Sequence, residues 1–171
     1  MEIVWIAFPL HPDTPEEGRS LASLFAHRFE EYKQMGIYLR QVAAQEGLPL
    51  GEREMTYNSR LAQELGKWAE SQGKGDSFHN EVFRAYFVQG KNIAKISELK
   101  EIAGAVGLSR EAAQDVLEQR TFQEAVDRDW AHSRQMGITA VPTFMMDRKA
   151  LVGAQPYDVL EEFVRTNLSA A

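Results

Sequence analysis

Gly137-Ile138-Thr139-Ala140-Val141-Pro142-Thr143-Phe144 is where the chain changes period. Upstream, apolar residues recur three and four positions apart; from here they form a short run, Val141-Pro142-Thr143-Phe144-Met145-Met146. That run reads as a strand entered at a proline. A proline there gives up a ladder donor, so it marks an edge, a bulge or a cis bond. Asp147-Arg148 supplies a turn and Lys149 to Gly153 a second strand, which makes a hairpin. Pro156 then opens a closing helix with Val159, Leu160, Phe163 and Val164 as its inward face.

Working back towards the N-terminus, Glu2-Ile3-Val4-Trp5-Ile6-Ala7-Phe8 is β-branched and aromatic and is stopped by Pro9 and Pro12. It reads as a strand, apolar on both faces and therefore buried. Thr14-Pro15-Glu16-Glu17 carries a capping box with proline at the first helical position. The spacing of Leu21, Leu24, Phe25, Phe29 and Tyr32 then predicts a helix with Leu and Phe as its buried stripe. Gly36 is expected to interrupt it, with a second helical stretch running to about Glu46 and stopped by Gly47. Leu48 to Met55 is irregular. Asn58 caps a helix with Leu61, Leu65, Trp68 and Ala69 on one face, and Asp76 caps the next, which carries Phe78, Val82, Phe83, Tyr86 and Phe87. Further helices are marked by Ile96 to Ala103, by Ala112 to Leu117 after the cap Ser109, and by Phe122, Val126 and Trp130. The order is one strand, a long helical block, a hairpin and a helix: α/β with a large all-helical insertion.

With 171 residues the chain has the size of one domain. Lys and Arg number 19 against 25 Asp and Glu, a net charge of −6, which argues against nucleic acid or an acidic membrane as partner. The longest apolar run, Ile3 to Phe8, is far short of the roughly 20 residues a spanning helix needs. No export segment is read at the N-terminus, so a cytoplasmic protein is expected. There is no cysteine, which excludes disulfides, thiolate metal sites and a cysteine nucleophile in these residues. Other motifs fail on spacing. Gly73-Lys74-Gly75-Asp76-Ser77 lacks the phosphate-loop pattern and reads as a helix–helix turn; His11, His27, His79 and His132 sit at no metal-ligand spacing. Neighbouring acidic pairs such as Glu161-Glu162 lie on helices, where adjacent positions do not face each other. The aromatic cluster Phe78, Phe83, Tyr86, Phe87 reads as core before it reads as a pocket. No metal or cofactor is implied.

The helix, Gly137 to Phe144, the hairpin, Val152-Gly153-Ala154-Gln155-Pro156 and the last helix together resemble the C-terminal half of a thioredoxin fold. More narrowly the chain resembles the DsbA family, in its FrnE-like branch of thiol–disulfide oxidoreductases. The matches include Pro9-Leu10-His11-Pro12-Asp13, Asn58-Ser59-Arg60-Leu61-Ala62, Phe83-Arg84-Ala85-Tyr86-Phe87, Gly90, Asn92-Ile93 and Val141-Pro142-Thr143-Phe144. They span nearly the whole chain in order. The resemblance implies one unit, with residues 1–13 and 137–171 as the thioredoxin-like part and 14–136 as a mostly helical insertion. Family members open with a strand and then a Cys-x-x-Cys helix. Ile3 to Phe8 is similar to their second strand, so the fold expected here is an incomplete thioredoxin-like (DsbA-type) α/β fold.

Under that resemblance Pro142 corresponds to the family's cis-proline, and the backbone of Ala140 and Val141 to the place where an extended substrate pairs. Three readings follow. The first is an oxidoreductase of this family whose cysteines lie upstream of Met1, so that this chain is inactive by itself. The second is a non-catalytic peptide-binding or dimerising paralogue, with an extended peptide or thiol protein as partner. The third is an isomerase or glutathione-linked enzyme of the kappa-class related group, in which Asn58 and the aromatic insertion line a small-molecule pocket. The first strand is central in a thioredoxin sheet, so its absence would leave edge groups unpaired, each costing about 1–3 kcal/mol. A homodimer or strand-sharing assembly is therefore expected, or a shift of Ile3–Phe8 to lie beside the hairpin.

Overall fold

The computed structural model describes residues 3–168. They form two compact units: the N-terminal residues up to Leu10 with the chain from Arg128 onward, and His11–Asp127.

Helices dominate the second unit because its apolar residues recur at helical spacing. Its core is built by α3 (Arg60–Ser71), α4 (Gly75–Phe83), α5 (Ile96–Ala105) and α6 (Arg110–Gln119). Leu65, Phe78, Leu99 and Leu117 are buried at its centre, with Trp68, Val82 and Ile102 packed around them. Burying such side chains contributes roughly 1.5–3 kcal/mol each. Ser109 caps α6 as its position suggests, its hydroxyl oxygen accepting from the Ala112 N–H at 3.1 Å. Beyond α4 the chain widens into a π-helical turn at Arg84–Val88, in which the Gln89 N–H reaches back to the Arg84 carbonyl.

The region before this core departs from the sequence reading. No helix starts at Thr14: that residue is buried in a turn, its N–H on the His11 carbonyl and its own carbonyl accepting from Asn58. A two-residue β1 (Arg19–Ser20) pairs antiparallel with β2 (Met55–Thr56). Ser20, not Thr14, is the cap of α1 (Leu21–Phe25), its hydroxyl oxygen accepting from the Ser23 N–H. The chain then tightens through Ala26–Arg28, with Ala26 at φ 26°, so the apolar spacing from Leu21 to Tyr32 is shared by two helices and only Leu21 of α1 is buried. Gly36 interrupts nothing; it lies inside α2 (Phe29–Gln45). Asp76 falls within the first turn of α4 rather than capping it.

In the other unit, β3 (Thr143–Met146) pairs antiparallel with β4 (Lys149–Val152), Thr143 opposite Val152 and Met146 opposite Lys149. Asp147, at φ 53°, makes the turn the sequence places there. The unit also holds the end of α7 (Gln123–Gln135) and α8 (Tyr157–Leu168), in which Phe163 and Val164 are half-buried while Val159 is exposed. The expected strand Ile3–Phe8 belongs to neither sheet, and Ile3, Val4 and Ile6 are exposed rather than buried. The local reason is visible at Ala7. Its N–H donates to Asp129 Oδ2 at 2.9 Å, and its carbonyl accepts from the Ser133 hydroxyl at 3.3 Å. Two side chains one turn apart on α7 thus take the backbone groups that a neighbouring strand would use.

Candidate functional site

α7 ends where the sequence says it should. Gly137, at φ 70°, takes the left-handed turn that a side chain would resist, and the N–H groups of Gly137 and Ile138 close the helix on the Arg134 and Ser133 carbonyls. The chain then runs through Ala140, Val141 and Pro142, all exposed, into β3. Two bonds fix this loop. The Thr143 hydroxyl donates to the Ala140 carbonyl at 2.7 Å, and the Gly153 N–H to the Pro142 carbonyl at 2.8 Å. The Val141–Pro142 peptide is cis. Between the two anchors the N–H and carbonyl of Val141 enter no hydrogen bond among the described residues, and its side chain is 43% exposed. One residue thus offers a donor and an acceptor, held on a short hairpin, to an extended segment. No nucleophilic thiol accompanies it, because the sequence has none.

Asn58, the fourth residue singled out, belongs to the helical unit. Its amide nitrogen donates to the Pro12 carbonyl at 2.9 Å and the Thr14 carbonyl at 2.8 Å, and its Oδ1 accepts from the Arg60 N–H at 2.9 Å. Both amide hydrogens are therefore committed to holding the 12–14 turn against the start of α3.

The sequence reading missed an ionic cluster in the same unit. Glu64, fully buried on α3, accepts from Arg60 Nε at 2.5 Å and from Arg120 Nε and Nη2 at 2.7 and 2.6 Å. Arg60 also pairs with Asp127 at 2.7 Å and donates to the Gln123 carbonyl at 2.8 Å. The hydrogen bonds to Glu64 hold the Arg120 guanidinium's pKa above its ordinary value, against the opposing effect of its partial burial. Arg60 and Glu64 stand four apart, a visible helix pairing; Arg120 is 56 residues away and left no local trace. A second missed residue is Arg53, in the irregular stretch before β2, whose guanidinium lies over the rings of Tyr86 and Phe87. Among the described residues no cluster of His, Asp and Glu could hold a metal ion.

A family model for the DSBA-like thioredoxin domain matches residues 1–165. The chain belongs to that family. Among solved structures, this DsbA-like chain superposes with a TM-score of 0.89 on a probable DsbA oxidoreductase from Streptomyces coelicolor, over 97% of this chain and 75% of that one. At 22% sequence identity that likeness is one of fold. The fold is accordingly the DsbA-type, thioredoxin-like α/β fold, with short strands and a large helical block. Among curated proteins, the DsbA-like sequence is 34% identical to the uncharacterized protein YwbO of Bacillus subtilis over 105 residues, 61% of this chain and 52% of that protein. The matched stretch spans about half the length of that relative.

Proposed function

We propose that this chain is the substrate-holding part of a thiol–disulfide oxidoreductase of the DsbA type, in its FrnE-like branch, and that it performs no thiol chemistry by itself. Exchange needs an attacking thiolate and a leaving thiolate, and a sequence without cysteine supplies neither. What remains is recognition. The observation that carries the reading is Val141, exposed and with neither backbone group hydrogen-bonded among the described residues, beside a proline at the head of the hairpin. An extended peptide adds there as a strand, with main-chain hydrogen bonds giving the affinity. The reading places the chain in the cytoplasm, with which a sequence free of cysteine is compatible.

The test has two arms. In a dithiothreitol-driven insulin reduction assay the chain is expected to give no rate above buffer. An extended apolar peptide is expected to bind, read by anisotropy, and its backbone N-methylated counterpart to bind at least several-fold more weakly. Turnover by the chain, or equal binding of the two peptides, overturns the reading.

Assembly through strand sharing is a second reading, favoured by one observation. Ile3, Val4 and Ile6 lie outside both sheets with their apolar side chains in water. Such a run is a template for pairing with another chain.

A further inference from the structure

Among the described residues Arg53 is a cation held by aromatic faces and paired with no carboxylate. Its guanidinium carbon lies 4.5 Å from the centre of the Tyr86 ring and 4.9 Å from that of Phe87. Those rings meet edge to face at 4.8 Å, forming a corner around the cation. Tyr86 and Phe87 are consecutive, and they reach one cation together from the π-helical turn Arg84–Val88, whose widened winding departs from the regular helix. The corner is braced from the Arg53 side as well. Thr56 Oγ1 and Tyr86 Oη share a hydrogen bond of 3.0 Å, and the Gly51 N–H donates to the Phe87 carbonyl at 2.9 Å. Any side chain at Gly51 would put its Cβ 2.7 Å from the Val88 carbonyl oxygen, so this strand of loop meets the π-turn at the closest approach glycine allows.

Against that bracing, the polar edge of Arg53 is unanswered. Among the described residues it forms no ion pair and donates no hydrogen bond, and its Nη1 is enclosed with no acceptor in reach. Its sequence neighbours Glu52 and Glu54 are exposed and do not pair with it. A guanidinium fixed by its faces, with Nη1 enclosed but its Nε and Nη2 neither enclosed nor hydrogen-bonded among the described residues, has an Nε–Nη2 edge suited to bidentate capture of a planar oxyanion.

We propose that Arg53, clamped by Tyr86 and Phe87, is a carboxylate-binding site. The proposal is independent of the peptide site at Val141. A carboxylate is favoured over a phosphate because, among the described residues, Arg53 is the cation that lies over the Tyr86 and Phe87 rings, and one positive charge matches a planar monoanion. The carboxylate can come from a free small acid or from the C-terminus of a peptide.

The probe is sodium acetate, titrated at constant ionic strength against sodium chloride while the Arg53 Nε–H signal is followed by NMR. A saturable shift in the millimolar range is expected with acetate and none with chloride. The Tyr86 and Phe87 amides are expected to follow it in the parent protein and to stop responding in Arg53→Lys, which keeps the charge and loses the fork. A short peptide with a free C-terminus is then compared with its amide: binding at least tenfold tighter than acetate, lost on amidation, assigns a peptide terminus, and equal binding assigns a small acid. A non-saturable shift, an equal response to chloride or an unchanged response in Arg53→Lys overturns the site. Should Arg53→Lys fail to fold, the Nε–H titration of the parent protein decides.

Discussion

Glu64 has no exposed surface, and a carboxylate withdrawn from water survives only where its charge and lone pairs are met. Arg60 and Arg120 meet them from two sides, and the cost of removing the carboxylate falls unequally on the two cations. Arg60 keeps Asp127 and the Gln123 carbonyl; Arg120, whose side chain is 40% exposed, can turn to solvent. Glu64→Gln is therefore expected to destabilise the helical unit by about 3 kcal/mol, the lower end of what breaking a buried pair costs. The urea midpoint of the far-ultraviolet circular dichroism signal measures it. Arg120→Gln, which strands Glu64 with Arg60 alone, is expected to cost a similar amount, and the double variant less than the sum, because the three groups act as one network.

At the scale of elements, α6 shows how a cap carries a pH dependence. Ser109 accepts from the Ala112 N–H and donates to Glu111 Oε2 at 2.9 Å. A hydrogen bond from the Glu111 backbone, and after it the Ser109 hydroxyl, lower the Glu111 pKa from its ordinary value. A carboxylate lowered in the folded state stabilises it in full above the unfolded pKa of about 4.3, and that contribution fades as the pH falls through the lower folded value. Glu111→Gln is thus expected to be less stable than the parent near neutral pH, with the gap closing below about pH 4. Thermal melts of the two proteins across that range decide it. Elements of this kind were legible in the sequence. α5, α6 and the hairpin were each specified by their own residues: a cap, a stripe, a turn at Asp147. Those that misled depend on distant partners. Ile3–Phe8 has strand composition, but a strand exists only beside another, and Ala7 is instead tied to Asp129 and Ser133 more than 120 residues away. The Thr14 capping box lost to an equally local rival at Ser20 because Asn58 holds the Thr14 turn. The loop at Val141 could be found from its proline and the Arg60–Glu64 pair from its spacing; Arg53 over Tyr86 and Phe87, and Arg120 on Glu64, could not, since those partners lie far off in sequence.

For the whole molecule the unresolved tension lies at the N-terminal run. Ile3 is 70% and Val4 66% exposed, a degree at which substitution alters folded stability by only about 0.5 kcal/mol. Their chemistry nonetheless favours association, since exposed apolar side chains in a run that belongs to neither sheet invite a strand from another chain. Stability and assembly should therefore separate. Ile3→Lys with Val4→Lys is expected to leave the urea midpoint nearly unchanged. It is also expected to abolish concentration-dependent association in sedimentation velocity, where the parent runs larger than its 19.4 kDa chain at micromolar concentration. A parent that stays at chain mass throughout would mean that the run is tolerated in water, and that the hairpin and its neighbours are stable as a two-stranded sheet. Equal loss of stability and association in the variant would instead mean that the run packs within its own unit. Only the split outcome supports strand sharing, because only then is the partner another chain.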